Sequence, residues 1–100
     1  MSAIEQPPLS VACIAEPDGW RCEVRVGDDA AATDHVVILD RDTLLQLAPG
    51  GASPEDLVLE SFRFLIEREP REAIMRSFEL PVISRYFADY GSTIRRRLGG

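Results

Sequence analysis

The chain has 100 residues, of which 45% are hydrophobic and 28% are charged. These proportions are typical of one globular domain and argue against intrinsic disorder. The longest aliphatic run, Val36-Val37-Ile38-Leu39, is far shorter than the roughly 20 residues that a membrane-spanning helix needs. The first residues lack the basic and apolar pattern of a signal peptide. We therefore expect a cytoplasmic protein that binds no membrane.

The net charge of −6 is unevenly distributed along the chain. Residues 1–50 contain three arginines and nine acidic residues, whereas residues 51–100 contain eight of each sign. The acidic first half would repel a phosphate backbone, so any nucleic-acid contact is expected in the second half. The chain contains no lysine, which excludes a lysine Schiff base and a lysine general base.

Residues 9–15 and 20–26 predict a β-hairpin closed by Pro17-Asp18-Gly19. Proline and aspartate suit the corners of a type I turn, and glycine suits a left-handed position after it. The second strand alternates apolar and charged side chains, which predicts one buried and one solvated face. In one register Cys13 lies opposite Cys22, whereas in a bulged register it does not. We favour two buried thiols over a redox pair.

Residues 34–40 predict a third strand that is apolar on both faces beyond His35, so we place it centrally or under helices. His35 is the only histidine of the chain. A catalytic or zinc-bound histidine needs partners nearby, and Asp34 would point to the opposite face of the strand. We therefore expect His35 at the sheet surface, with no metal and no cofactor.

Helix signals dominate the second half. Asp40 or Asp42 caps a short helix, and Ser53 caps the main one, with Pro54 in its first turn. Helical spacing after Pro70 and after Leu80 predicts further helices over residues 71–78 and 81–90, and Ser92 is expected to cap a last turn.

The expected fold class is α+β: a three-stranded, mainly antiparallel sheet followed by three to four helices packed on one face. The domain organisation that we predict is a disordered N-terminus over residues 1–8, a single domain over 9–98 and a flexible tail over 99–100.

The main helix is apolar on two faces. A broad stripe contains Val58, Leu59, Phe62, Leu65 and Ile66, and a second, narrow stripe contains Leu57 and Phe64. Covering the second stripe is worth about 2 kcal/mol per side chain. Either the later helices cover it, or a partner or a second copy does. In the second case the candidate contacts are Leu57, Phe64, Tyr86 and Tyr90.

Several segments of the second half carry a family resemblance. They are Pro54-Glu55-Asp56-Leu57-Val58, Ser61-Phe62, Phe64-Leu65-Ile66-Glu67-Arg68-Glu69-Pro70, Phe78, Val82-Ile83 and Tyr86-Phe87. With Trp20 and His35-Val36, this pattern resembles a family of small uncharacterised bacterial proteins. The resemblance implies a compact bacterial cytosolic domain, and it implies no activity, cofactor or site.

A DNA-binding regulator is the main alternative. Residues 72–87 look like a helix-turn-helix, which would present Ser84 and Arg85 to base edges. Three further arginines would then contact phosphates, namely Arg95, Arg96 and Arg97. The tight, proline-containing turn and the net negative charge argue against it.

Two other classes find less support. The terminal Gly99-Gly100 resembles the termini of ubiquitin and of sulfur-carrier proteins, but those families place strands after the main helix. The sequence contains no nucleophile elbow, no phosphate-binding glycine loop and no cluster of metal ligands, so we do not expect an enzyme. We expect a non-catalytic protein that acts by protein–protein interaction, as a regulator, an adaptor or a homodimer.

Overall fold

The computed structural model describes residues 7–99, which form an α+β fold with a four-stranded mixed sheet. In sheet order the strands are β1 (Leu9–Glu16), β2 (Gly19–Val26), β3 (Thr33–Asp40) and β4 (Ser77–Glu79). The helices are α1 (Arg41–Leu47), α2 (Pro54–Ile66), α3 (Ile83–Tyr86) and α4 (Tyr90–Arg97). The predicted α+β class is confirmed. Residues 1–6 and Gly100, parts of the predicted disordered N-terminus and tail, lie outside the described residues.

The β1–β2 hairpin turns at Pro17 and Asp18, so that Glu16 pairs with Gly19. The predicted left-handed Gly19 is wrong, because this glycine does not have a positive φ. A side chain at position 19 would instead collide with the backbone carbonyl of Leu39 in β3. Glycine is needed there because β3 passes so close to the start of β2.

The unbulged hairpin places Cys13 directly opposite Cys22, with 4.0 Å between their Cα atoms. The two cysteines form a disulfide, so the preference for two free thiols is wrong. The short turn fixes the register, and the register puts both sulfur atoms on the same face of adjacent strands. The bond therefore joins the edge strand β1 to β2 on the side that faces the core.

One face of the sheet is buried and the other is solvated. The inward side chains of β2 and β3 are Cys22, Val24, Val26, His35, Val37 and Leu39. Arg21, Glu23 and Arg25 lie on the opposite, exposed face, which confirms the predicted alternation of β2. β3 pairs with β2 on one side and with β4 on the other, in the predicted central position.

Both predicted helix caps are present. The Asp40 carboxylate accepts a hydrogen bond from the Thr43 backbone N–H at 3.1 Å and begins α1. The Ser53 hydroxyl accepts one from the Asp56 N–H at 3.1 Å and begins α2. Each cap satisfies a backbone donor that the first helical turn leaves without a partner.

The predicted helix over residues 71–78 is wrong. Residues Arg71–Ala73 form a single 3-10 turn, and Ile74 is already extended. The chain then enters β4, which runs parallel to β3 and places Phe78 beside Val37. Hydrogen bonds to β3 replace those of a helix, starting with the one that the Val36 N–H donates to Arg76 at 2.7 Å. The expected three-stranded sheet is thereby corrected to four strands.

The predicted helix over residues 81–90 is also wrong as a single element. A 3-10 turn at Leu80–Val82 leads into α3, and Phe87 is extended at φ −133° and ψ 101°. This break directs the Phe87 ring to Phe64, with 5.7 Å between ring centroids. Helix α4 then begins at Tyr90, earlier than the expected cap at Ser92.

No helix in the described residues 7–99 is long and apolar enough to cross a membrane.

Candidate protein-binding groove

Three of the four candidate interface residues belong to the core of the single chain. Leu57, Phe64 and Tyr90 are almost completely inaccessible, whereas 69% of Tyr86 is exposed. The second apolar stripe of α2 is covered by the following helices, and Leu57, Phe64 and Tyr90 are thereby corrected from interface to core.

Aromatic and polar side chains cover the second apolar stripe of α2. Tyr90 and Phe87 both meet the Phe64 ring edge-on, and the Tyr90 centroid lies 5.3 Å away. The Ser61 hydroxyl donates to the Leu57 carbonyl at 2.7 Å, so the Tyr90 hydroxyl donates to Ser61 at 2.6 Å. Burial raises the pKa of the Tyr90 phenol well above its usual range, although the bond to Ser61 acts in the opposite direction.

An arginine closes the outer side of this cluster. The guanidinium carbon of Arg68 lies 3.6 Å from the centre of the Phe64 ring. Arg68 also donates to Asp89 at 2.8 Å, while Arg97 donates to Glu67 at 2.6 Å. The bond from Arg97 lowers the pKa of the Glu67 carboxyl. These pairs attach the end of α2 to α4 and to the residue before it.

The residues of the DNA-binding hypothesis do not form a helix-turn-helix. The segment 72–87 contains β4 and only one helix, the single turn α3. The Ser84 hydroxyl donates to the Pro81 carbonyl, and Arg97 is paired with Glu67. Arg85, Arg95 and Arg96 are exposed, but no recognition helix presents them together. The geometric basis of this alternative is therefore lost.

The surface around Tyr86 contains an apolar groove of about 380 Å³, which we call the Tyr86 groove. It lies between the end of α2, the segment that leads into β4, and α3. The lining residues are Leu65, Glu69, Ala73, Ile74, Met75, Phe78, Ile83, Tyr86 and Phe87. Tyr86 and Met75 are the most exposed large side chains of the lining, at 69% and 41%. The remaining aromatic and aliphatic side chains form its floor.

The local sequence explains why this groove is open. Helix α2 ends at Ile66, before Pro70, which lacks a backbone donor and disfavours helical geometry at Glu69. The chain then passes through the 3-10 turn Arg71–Ala73 and enters β4. Helix α3 has one turn only, and Tyr86, its last residue, is 69% exposed.

His35 fixes one wall of the groove from inside the protein. Its Nδ1–H donates to the carbonyl of Met75 at 2.8 Å, and Nε2 accepts from the Thr33 hydroxyl at 2.8 Å. The ring lies 5.3 Å from that of Phe62 and is buried, so the expected surface histidine is wrong. Both ring nitrogens are satisfied, which is what a buried imidazole requires.

Sequence reasoning missed His35 and Met75 as parts of this site. The signal for His35 was present in the alternation of β3. Asp34 and Ile38 occupy the exposed face, which places His35 with Val37 on the buried one. No comparable signal marks Met75, since its position depends on β4.

Glu69 is the one acidic residue of the lining. Its side chain is half-buried, and within residues 7–99 it forms no salt bridge and no side-chain hydrogen bond. The described part of the chain also contains no group of three or more metal-ligating residues. The arrangement is suited to recognition by apolar contact and charge.

Comparisons of this chain with protein-family models, with curated proteins and with solved structures found no match. The resemblance to small bacterial proteins stays a prediction.

Proposed function

We propose that the protein is a non-catalytic protein-interaction module that binds a segment of a partner protein in the Tyr86 groove. The observation that carries this proposal is the exposure of Tyr86 and Met75 beside a groove lined by buried apolar side chains. Exposed apolar side chains that adjoin an apolar groove are typical of protein-interaction sites, and methionine adapts to varied partners.

The size and composition of the groove support binding of a side chain. A volume of about 380 Å³ lies within the range of known ligand pockets, which are lined mainly by apolar and aromatic residues. Tyrosine is enriched among the residues that dominate binding energy, because it buries a large rigid surface. A partner phenylalanine or leucine would reach Ile74, Ile83 and Phe87.

The experiment uses a blocked tripeptide, acetyl-Gly-Phe-Gly-amide, titrated into the 15N-labelled protein and followed by NMR. We expect saturable shifts of backbone amides along the groove with a dissociation constant of about 1 mM, as for a fragment of an interface. Tyr86→Ala should abolish the saturation. Its matched control is Leu45→Ala, because Leu45 is 67% exposed and lies outside the groove lining.

Both substitutions are at exposed positions and should change stability by no more than about 0.5 kcal/mol. Equal binding by Tyr86→Ala and the wild type would contradict the proposal, and so would shifts located elsewhere.

A second candidate function is self-association through the edge strand β1, which a different observation favours. The Gly27 N–H donates to the Pro8 carbonyl, so the alternating ladder directs the backbone groups of Leu9, Val11, Cys13 and Ala15 away from β2. Within residues 7–99 no strand pairs with them. From Leu9 to Ala15 the strand also lacks the charges and prolines that usually protect an edge.

The self-association candidate is tested by light scattering after size exclusion at high protein concentration. A dimer that Ala12→Lys dissociates would support it, because Ala12 lies on the exposed face of β1. The control Leu45→Lys adds the same charge elsewhere and should leave the dimer intact. A wild-type monomer would exclude this candidate and leave the Tyr86 groove unaffected.

A further inference from the structure

We infer that the segment bound in the Tyr86 groove carries an arginine or lysine next to its apolar side chain. This inference rests on the proposed function and adds the chemistry of the partner. It comes from Glu69, which is half-buried at the groove and forms no ion pair within the described residues.

Glu69 differs in this respect from the acids around it. Glu67 pairs with Arg97 at 2.6 Å, and Asp89 pairs with Arg68 at 2.8 Å. Glu72 lies 3.8 Å from Arg71. Arg68, Arg71 and Arg97 are thus engaged with carboxylates, whereas Arg76 and Arg85, the sequence neighbours of Met75 and Tyr86, form no salt bridge within residues 7–99. The lining itself contains no arginine, and its one charged residue is Glu69, so the charge within the lining is negative.

An apolar segment that filled the groove would take water away from this carboxylate without replacing its hydrogen bonds. Such desolvation of a charge opposes binding unless a cation compensates for it. An arginine or lysine at the neighbouring position of the ligand would supply both the opposite charge and the donors. An acidic segment would meet repulsion instead.

The apolar stem and the cationic head of a basic side chain both suit this lining. The stem can lie along the aliphatic floor while the head stays at the rim near Glu69. Aromatic faces at Tyr86 and Phe87 add a cation–π attraction. The protein already uses this contact beside the groove, where the Arg68 guanidinium lies 3.6 Å from the centre of the Phe64 ring and 6.0 Å from that of Phe87.

The test compares three peptides of equal length by NMR titration at low salt. They are acetyl-Arg-Phe-Gly-amide, acetyl-Gly-Phe-Gly-amide and acetyl-Glu-Phe-Gly-amide. We expect the arginine peptide to bind about fivefold more tightly than the neutral one, as a partly exposed ion pair allows, and the glutamate peptide to bind most weakly. The preference should decrease at 0.5 M salt, where the Debye length is about 4 Å.

Two variants assign the effect to Glu69. Glu69→Gln should make the arginine peptide and the neutral peptide bind with equal affinity. Glu72→Gln makes the same change of charge outside the groove lining and should keep the preference. Equal affinity of the arginine and neutral peptides for the wild type would overturn this inference and leave the proposed function standing. Binding of none of the three peptides would overturn both.

Discussion

A short chain of hydroxyl groups crosses the packing between α2 and α4. Tyr90 donates to Ser61, and Ser61 donates to the backbone carbonyl of Leu57. All three residues are buried, so each polar atom depends on its neighbour for a partner. This chain lets a tyrosine cover the second apolar stripe of α2 without leaving a polar atom unsatisfied.

Removal of one hydrogen bond from this series of hydroxyl groups should lower the free energy of unfolding. We expect Tyr90→Phe to lower the free energy of unfolding by about 1 kcal/mol at pH 7, since Ser61 keeps its bond to Leu57. The same variant should lose less stability than the wild type at alkaline pH. The phenol ionises near pH 10 in the unfolded chain, but its pKa is raised in the folded protein. Stability is therefore complete below pH 10 and falls as the pH rises above it.

Urea denaturation of both proteins at pH 7 and at pH 11 measures this difference. If wild type and Tyr90→Phe lost the same free energy of unfolding between pH 7 and pH 11, the raised pKa of the Tyr90 phenol would be contradicted.

Single residues show what the sequence could and could not predict. The spacing of Leu57 and Phe64 correctly required a second cover for α2. It could not identify that cover, because β4, two 3-10 turns and α3 lie between Ser61 and Tyr90, and the local spacing does not encode their path. His35 was misplaced for a different reason, since the alternation of β3 already put it on the buried face and only its partner Met75 is distant in the chain.

At the scale of elements, α1 depends strongly on its cap because it has only seven residues. Isolated helices of this length are unstable in water. Asp40→Ala should therefore destabilise the protein by about 1 kcal/mol, as the Thr43 N–H loses its acceptor.

The matched control for the cap is Asp42→Ala. Asp42 lies in the first turn of the same helix without the capping bond, so only its weaker interaction with the helix dipole is lost. Thermal unfolding of the two variants should separate them by several degrees. Equal effects would show that charge, and not the capping bond, stabilises α1.

The starts of α1 and α2 were predictable because a capping side chain sets each of them. Asp40 and Ser53 mark the starts of α1 and α2 as expected, whereas α2 ends at Ile66, four residues before the predicted boundary at Pro70. β4 could not be predicted in this way. Its three residues contain one apolar side chain, Phe78, too few to distinguish a strand from a helix. Its strand conformation comes from the hydrogen bonds that β3 offers, which is information from another part of the chain.

At the scale of the whole molecule, the disulfide holds the first strand to the rest. Cys13 and Cys22 are separated by nine positions in the sequence, and closing a loop of this size stabilises a protein by about 3 kcal/mol. We expect a reducing agent to lower the midpoint of thermal unfolding of the wild type.

The double variant Cys13→Ser with Cys22→Ser provides the control for this prediction. It should unfold at a lower temperature than the oxidised wild type and should not respond to the reductant. A wild type that is equally stable with and without reductant would contradict a stabilising bond at this position.

At the scale of the whole molecule, an ion pair joins the two differently charged halves of the chain. The acidic first half and the neutral second half of the chain meet through the ion pair of Arg71 with Asp29 at 3.5 Å. The sequence showed the imbalance, but the pairing became visible only in the folded chain.

The parallel pairing of β3 with β4 has a consequence for the order of events in folding. The first three strands follow one another through short turns, so their contacts require little loop closure. Ser77 must instead find Val36 after α1, α2 and the turn beyond them have been placed. Contacts between positions this far apart in the sequence form slowly, because a long loop must close first. Met75 and Phe78, which line the Tyr86 groove, belong to this late segment, so a bound partner would slow the exchange of its amide protons with solvent.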